Sequence, residues 1–180
     1  MSNWFQILLL GLVGAAIVHL AVIFLVPLYS DQNAWSRLET RGEPYVFQPI
    51  DRKDGLGSDK DPLLRAAACR FDLAGGPVRI TTSVTVPFWS LSVYAPNGDN
   101  LYSINDDVFV QGKLDLIIAD PIGMARLRVS EQQGENRPVM IEKDLGEGMV
   151  ILRTLLPDQS WSKTIAHFFE SAACRPYDPE

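Results

Sequence analysis

The chain has two cysteines, Cys69 and Cys174. An even pair so far apart suits a disulfide in an oxidising compartment. The competing reading is two buried thiols, since free cysteine packs as a small hydrophobe. There are also two histidines, and His19 lies in an apolar run, so His167 is the imidazole left for acid–base work. Asp158 and Ser160 are near it in sequence, but nothing in the spacing assembles a triad. Gly-x-Ser-x-Gly, His-Glu-x-x-His and Cys-x-x-Cys are absent. His167 therefore reads as a surface helix residue, and no catalytic residue and no enzyme are expected. Glu142, Asp144 and Glu147 could supply the paired carboxylates of glycan hydrolysis. Grouped around a Gly-rich turn, they read as solvated side chains. Asn97, Asp99, Asn105, Asp106 and Asp107 offer hard oxygens of the kind calcium takes. They lack EF-hand spacing and are ordinary turn formers, so neither a metal nor a cofactor is expected.

Two further groups carry binding rather than reaction chemistry. Trp89, Tyr94 and Tyr102, with Phe88, cluster around one hairpin. They could face a sugar or apolar ligand, or pack as cross-strand core pairs. Gly11, Ala15 and His19 recur every fourth residue, so they share one helix face. Gly11-x-x-x-Ala15 permits close helix approach, and a neutral imidazole at bilayer depth can bond a neighbouring helix.

The elements that must position these residues begin with the run from Phe5 to Val26, which contains no Asp, Glu, Lys or Arg. At about 1.5 Å per residue it crosses a hydrocarbon core of roughly 30 Å. Residues 1–29 are read as a transmembrane anchor, with Trp4 and Tyr29 at the aromatic-belt positions. A cleaved signal peptide is the rival. Here the start lacks Lys and Arg, the apolar run is too long, and Val26-Pro27-Leu28-Tyr29 is not a small-x-small site. The net charge of −6 lies beyond the span. It argues against nucleic acid, which needs clustered Lys and Arg, and against electrostatic docking on anionic lipid. Arg37 and Arg41 after the span weakly favour a cytoplasmic domain. The cysteine pair favours the periplasm, and large domains translocate largely regardless of charge. The expectation is a single-pass protein of the bacterial inner membrane with its domain in the periplasm.

Residues 30–62 read as a juxtamembrane stalk and linker. Asp31 could cap a short helix through Trp35 and Leu38, and Asp51 to Asp61 is polar. A β-rich domain over 63–180 follows. In Val86 to Tyr94, Trp89, Leu91 and Val93 fall on one face and Ser90, Ser92 and Tyr94 on the other. Pro96-Asn97-Gly98-Asp99 is a turn, returning through Leu101 to Asn105. Leu114 to Ala119 is a further strand. Val139 to Glu142 and Met149 to Leu156 read as a hairpin across Gly146 and Gly148. Ala66 to Leu73 is ambiguous between helix and strand. Asp120-Pro121 starts a short helix. A C-terminal helix from Trp161 to Cys174 carries an apolar stripe. The sum is a mainly β, antiparallel sandwich or jelly-roll-like domain with a C-terminal helix, and a Cys69–Cys174 bond would tie the helix end to an early strand.

Ala68-Cys69-Arg70-Phe71-Asp72-Leu73, the Phe88-Trp89-Ser90 strand, Gly146-Glu147-Gly148 and the late Cys174 resemble short alphaproteobacterial single-span membrane proteins. Those belong to the family called domain of unknown function 1254. The resemblance covers nearly all of the chain after the linker. It implies a β-rich envelope domain and a partner membrane protein, one carrying the companion 1214-type domain. It implies no activity and no site residues. The function expected is a non-catalytic interaction or accessory subunit of a membrane complex. An envelope glycan- or lipid-binding module is the alternative, ahead of a cell-wall enzyme.

Overall fold

The structure is a computed structural model, and it describes residues 3–29, 34–50, 63–109, 112–130 and 137–178. The chain divides into two compact units, Met1–Asn33 and Ala34–Glu180.

The first unit is one helix, α1 (Asn3–Tyr29). Its large apolar side chains from Trp4 to Val26 are 48–81% exposed. A helix that is apolar all round must be surrounded by protein or by lipid. Asn3–Val26 is long and apolar enough to cross a membrane.

The second unit is a two-sheet sandwich. Its strands are β1 (Gln48–Pro49), β2 (Leu64–Asp72), β3 (Val78–Thr81), β4 (Trp89–Tyr94), β5 (Asn100–Asn105), β6 (Asp115–Ala119), β7 (Val139–Glu142), β8 (Glu147–Leu155) and β9 (Ala173–Pro176). One sheet has the order β1-β2-β8-β4-β5 and is antiparallel throughout. The other has the order β7-β6-β3-β9. Strand alternation sends Cys69, Phe71, Leu91, Val93, Val150 and Leu152 of the first sheet inward. They meet Val78, Ile80, Leu116, Ile118 and Cys174 of the second in one core. Gly148 lies opposite Phe71. A Cβ at Gly148 would sit 2.6 Å from Phe71 Cζ and 2.7 Å from Leu145 Cδ2, so the ring occupies the space a side chain would need.

Both outer faces are also partly covered. Helix α3 (Pro121–Ser130) buries Met124 and Leu127 on Ile117 and Ala119 of the four-stranded sheet. Its start is as the sequence predicts. Pro121 takes the first position, and Asp120 Oδ1 accepts from the Gly123 amide at 2.7 Å. On the other sheet, α2 (Ala34–Glu39) seats Leu38 and Trp35 against Ala68 and Met149. The Arg70 guanidinium stacks 5.5 Å from the Trp35 ring and donates to the Gly42 carbonyl. The compact unit thus starts at Ala34, and residues 34–50, read from sequence as stalk, are part of it. Asp31 and residues 51–62 lie outside the described residues. Helix α4 (Ser162–Ser171) adds Phe168 to the core.

Two expectations need correction, and one reading left open is resolved. Val139–Glu142 and Glu147–Leu155 do not form a hairpin: β7 pairs in parallel with β6, and β8 pairs with β2 and β4 in the other sheet. Parallel strands need a crossover, and α3 supplies it. Cys174 is not at a helix end. Helix α4 stops at Ser171, Ala172 is extended (φ −69°, ψ 123°), and Cys174 sits in β9. Ala66 to Asp72 is strand, as part of β2.

Candidate functional site

Cys69 on β2 and Cys174 on β9 are bonded to each other, with Cα atoms 6.6 Å apart. The bond joins the two sheets inside the core rather than tying a helix to a strand. Trp89 is not ligand-facing. It is fully buried, its Nε1 donates to the Gly112 carbonyl at 2.7 Å, and its ring meets Phe109 at 5.3 Å. The cause is strand alternation, which gives Trp89 the same inward face as Leu91 and Val93. Tyr102, opposite Val93 on the edge strand β5, is 37% exposed. Tyr94 lies on the outer face. On α1, Gly11, Ala15 and His19 are all exposed, and nothing lies within 4 Å of a Cβ built on Gly11.

The residues weighed for catalysis are not gathered into a site. Asp158 Oδ1 accepts from the Ser160 amide at 2.7 Å, at the turn that leads into α4. Hydrogen bonding from the Ser160 side chain and then its backbone holds the Asp158 carboxyl below its ordinary value. His167 is exposed and pairs with Glu170 at 3.6 Å. Glu142 is taken up by Arg128 at 2.9 Å, while Glu147 belongs to the other sheet, opposite Asp72. In the 96–99 turn, Asn97 Nδ2 donates to Asp99 Oδ2 and Asn97 Oδ1 accepts from the Asp99 amide. Gly98 supplies the left-handed residue there (φ 90°).

Two polar features remain, and neither is visible as a motif. The first is on the outer face of the five-stranded sheet, around Arg153 of β8. Its Nη1 donates to Ser92 Oγ and its Nη2 to Tyr94 Oη, each at 3.3 Å. Ser103 Oγ donates to Ser92 Oγ at 3.0 Å, and Asn100 Nδ2 donates to Ser103 Oγ at 3.0 Å. The guanidinium lies 6.0 Å from the centre of the Tyr94 ring. Burial alone would push the Tyr94 phenol up. The Arg153 hydrogen bond and charge, with hydrogen bonds from Ser92 and Asn100, outweigh it and bring the phenol below its ordinary value. The signal in sequence is a lone arginine in the apolar run Met149 to Leu156.

The second feature is a cleft of about 630 Å³ beside the start of α3, walled by residues 73–77, Asp120, Arg126 and the tail at Tyr177 and Asp178 that follows β9. Tyr177 is held in place there. Its amide donates to the Pro77 carbonyl at 2.8 Å, and its ring stacks 5.2 Å from Arg79, itself bidentate to Asp115 at 2.8 Å.

No family model and no curated protein matches the chain. Solved structures do. The crystal structure of the VPA0106 protein from Vibrio parahaemolyticus is similar over 78% of this chain and 32% of its own, at 12% identity and a TM-score of 0.56. An uncharacterized protein from Burkholderia cenocepacia is similar over 63% of this chain and 32% of its own, at 15% identity and a TM-score of 0.44. The first likeness is one of fold. The chain spans about a third of the length of each of these proteins.

Proposed function

We propose that this chain is a single-pass protein of the bacterial inner membrane whose sandwich lies in the periplasm. It serves there as a non-catalytic interaction subunit of a membrane complex. The observation that carries the reading is α1, apolar around its whole circumference and exposed from Trp4 to Val26, in a chain whose other compact unit is a disulfide-joined domain. The disulfide supports an oxidising compartment. The exposed Gly11, Ala15 and His19 face is where a second helix would pack. The partner is a second membrane protein, and the family resemblance points to one carrying the companion 1214-type domain.

The experiment is photo-crosslinking in native membranes from position 15, followed by mass spectrometry. A single dominant partner, lost when Gly11 and Ala15 are both changed to Leu, is the expected result. Recovery of monomer alone would sink the proposal. Binding of an envelope glycan or lipid is the second reading. It loses Trp89 to the core and keeps Tyr94, Tyr102 and the cleft beside α3.

A further inference from the structure

The outer face of the five-stranded sheet holds a half-buried cation, Arg153 of β8. Among the described residues Arg153 has no carboxylate partner; it meets two hydroxyl oxygens at 3.3 Å and one aromatic ring. Its cross-strand neighbours are Ala66 on β2 and Ser90 on β4. Both are small, so neither covers the guanidinium. Arginine presents five N–H donors and accepts nothing. Two of the five are spent on neutral oxygens, at the long end of hydrogen-bond range. Ser92 and Tyr94 each accept one of them, and the Tyr94 hydroxyl hydrogen adds to the donor supply. The surrounding outward residues on β4 and β5 are Ser, Asn and Tyr. Among the described residues, this half-buried site with surplus donors and a fixed positive charge lacks one thing, an acceptor carrying negative charge.

The geometry points to an oxyanion-binding site on this face, in which Arg153 grips a carboxylate or phosphate group through its planar fork and the hydroxyls of Ser92 and Tyr94 flank it. The fork matches two oxygens of such a group, and charge-assisted bonds of this type are roughly twice as strong as neutral ones. Strands β4, β5 and β8 position every member, so the site is formed before the ligand arrives. The Tyr94 phenol, brought below its ordinary value against burial by the Arg153 hydrogen bond and then its charge, agrees with this. Binding an anion at Arg153 must therefore raise the Tyr94 phenol.

The test uses the full chain in nonionic detergent, with acetate and inorganic phosphate as probes and chloride at matched ionic strength as the control. Saturable amide shifts at Ser92, Tyr94 and Ser103 are expected by NMR, together with an upward move of the Tyr94 phenolate titration. Arg153→Gln should abolish both. Arg153→Lys, which keeps the charge and loses the fork, should weaken binding at least about tenfold. An isotherm unchanged in Arg153→Gln, or no saturable shift with either probe, overturns the site. If Arg153→Gln fails to fold, the wild-type chain still decides: a Tyr94 titration that ignores phosphate refutes the inference. A last arm places the chain in lipid nanodiscs with no free anion. Shifts that appear on adding anionic lipid support the site with a headgroup phosphate as its ligand. Shifts that appear with free probes alone support it with a soluble one.

Discussion

Removing the Cys69–Cys174 bond is the perturbation whose size the structure fixes best. The two residues are 105 positions apart. In the chain-entropy picture, a closed loop of that length stabilises the fold by about 4.7 kcal/mol at 25 °C. Domains of this size are stable by roughly 5–15 kcal/mol, so the bond accounts for a third or more of the margin. Urea slopes for small proteins run about 1–3 kcal/mol/M, which makes the expected fall in midpoint about 2 M. The assay is urea unfolding of the full chain in nonionic detergent, oxidised against fully reduced, followed by tryptophan fluorescence. Cys69→Ala/Cys174→Ala should reproduce the reduced curve, because both side chains are buried and alanine adds no polar group. A midpoint shift below about 0.5 M would refute the magnitude. Two thiols freely labelled in denatured, unreduced protein would refute the bond, and with it the support for the periplasm.

Three other changes should separate core from surface. Trp89→Ala should cost about 3–5 kcal/mol by truncating a fully buried ring, seen as loss of cooperative unfolding rather than loss of a binding event alone. Gly148→Ala should cost about 1–3 kcal/mol, because its Cβ would meet Phe71 Cζ at 2.6 Å; a neutral result by calorimetry would mean the Phe71 ring moves freely. Tyr94 should titrate below the ordinary phenol value of about 10, and Arg153→Gln should raise it, read from the phenolate absorbance after subtracting Tyr94→Phe. The sign follows from the depressed phenol. Its contribution to stability is present above the unfolded pKa and is lost as pH falls through the folded one, so beyond the pH-independent loss of the Arg153 hydrogen bond, Tyr94→Phe should cost further stability only in alkaline solution.

Where one face of a strand is buried and the other wet, the sequence reads directly. Strand β4 is the clear case: Trp89, Leu91 and Val93 face inward as their alternation with Ser90, Ser92 and Tyr94 implies, although Ser92 on the other face is also buried, within the Arg153 network. Strand β2 defeats the same reasoning because it is covered on both sides. Cys69 and Phe71 enter the sandwich core while Ala68 lies under Leu38 of α2, so the alternation that marks a strand is lost. Gly146 and Gly148 looked like a hairpin turn because two apolar runs flank them. Local sequence does not show that Val139–Glu142 has already been claimed by β6, through a helix placed in between. The stripe that runs from α4 into Cys174 has no Gly or Pro at Ala172 to announce a change of backbone. Burial of Trp89 was legible in its neighbours' pattern. The Arg153 network was not, since its members come from β4, β5 and β8 and meet only once the register is set.

The order in which strands are made has a further consequence. The early strands β2 and β3 each have one of their two partners, β8 and β9 respectively, among the last strands of the chain. Synthesis proceeds at about 5–20 residues per second, so Cys69 waits roughly 5–20 s for Cys174 to follow it. During that interval neither sheet can close, and contacts of such long range make for slow folding. Cys69 meanwhile carries a lone thiol. With just these two cysteines in the sequence, it can make no wrong bond within its own chain. Its hazards during biogenesis are therefore all intermolecular, a mixed disulfide or a crosslinked dimer, and they end when β9 docks beside β3.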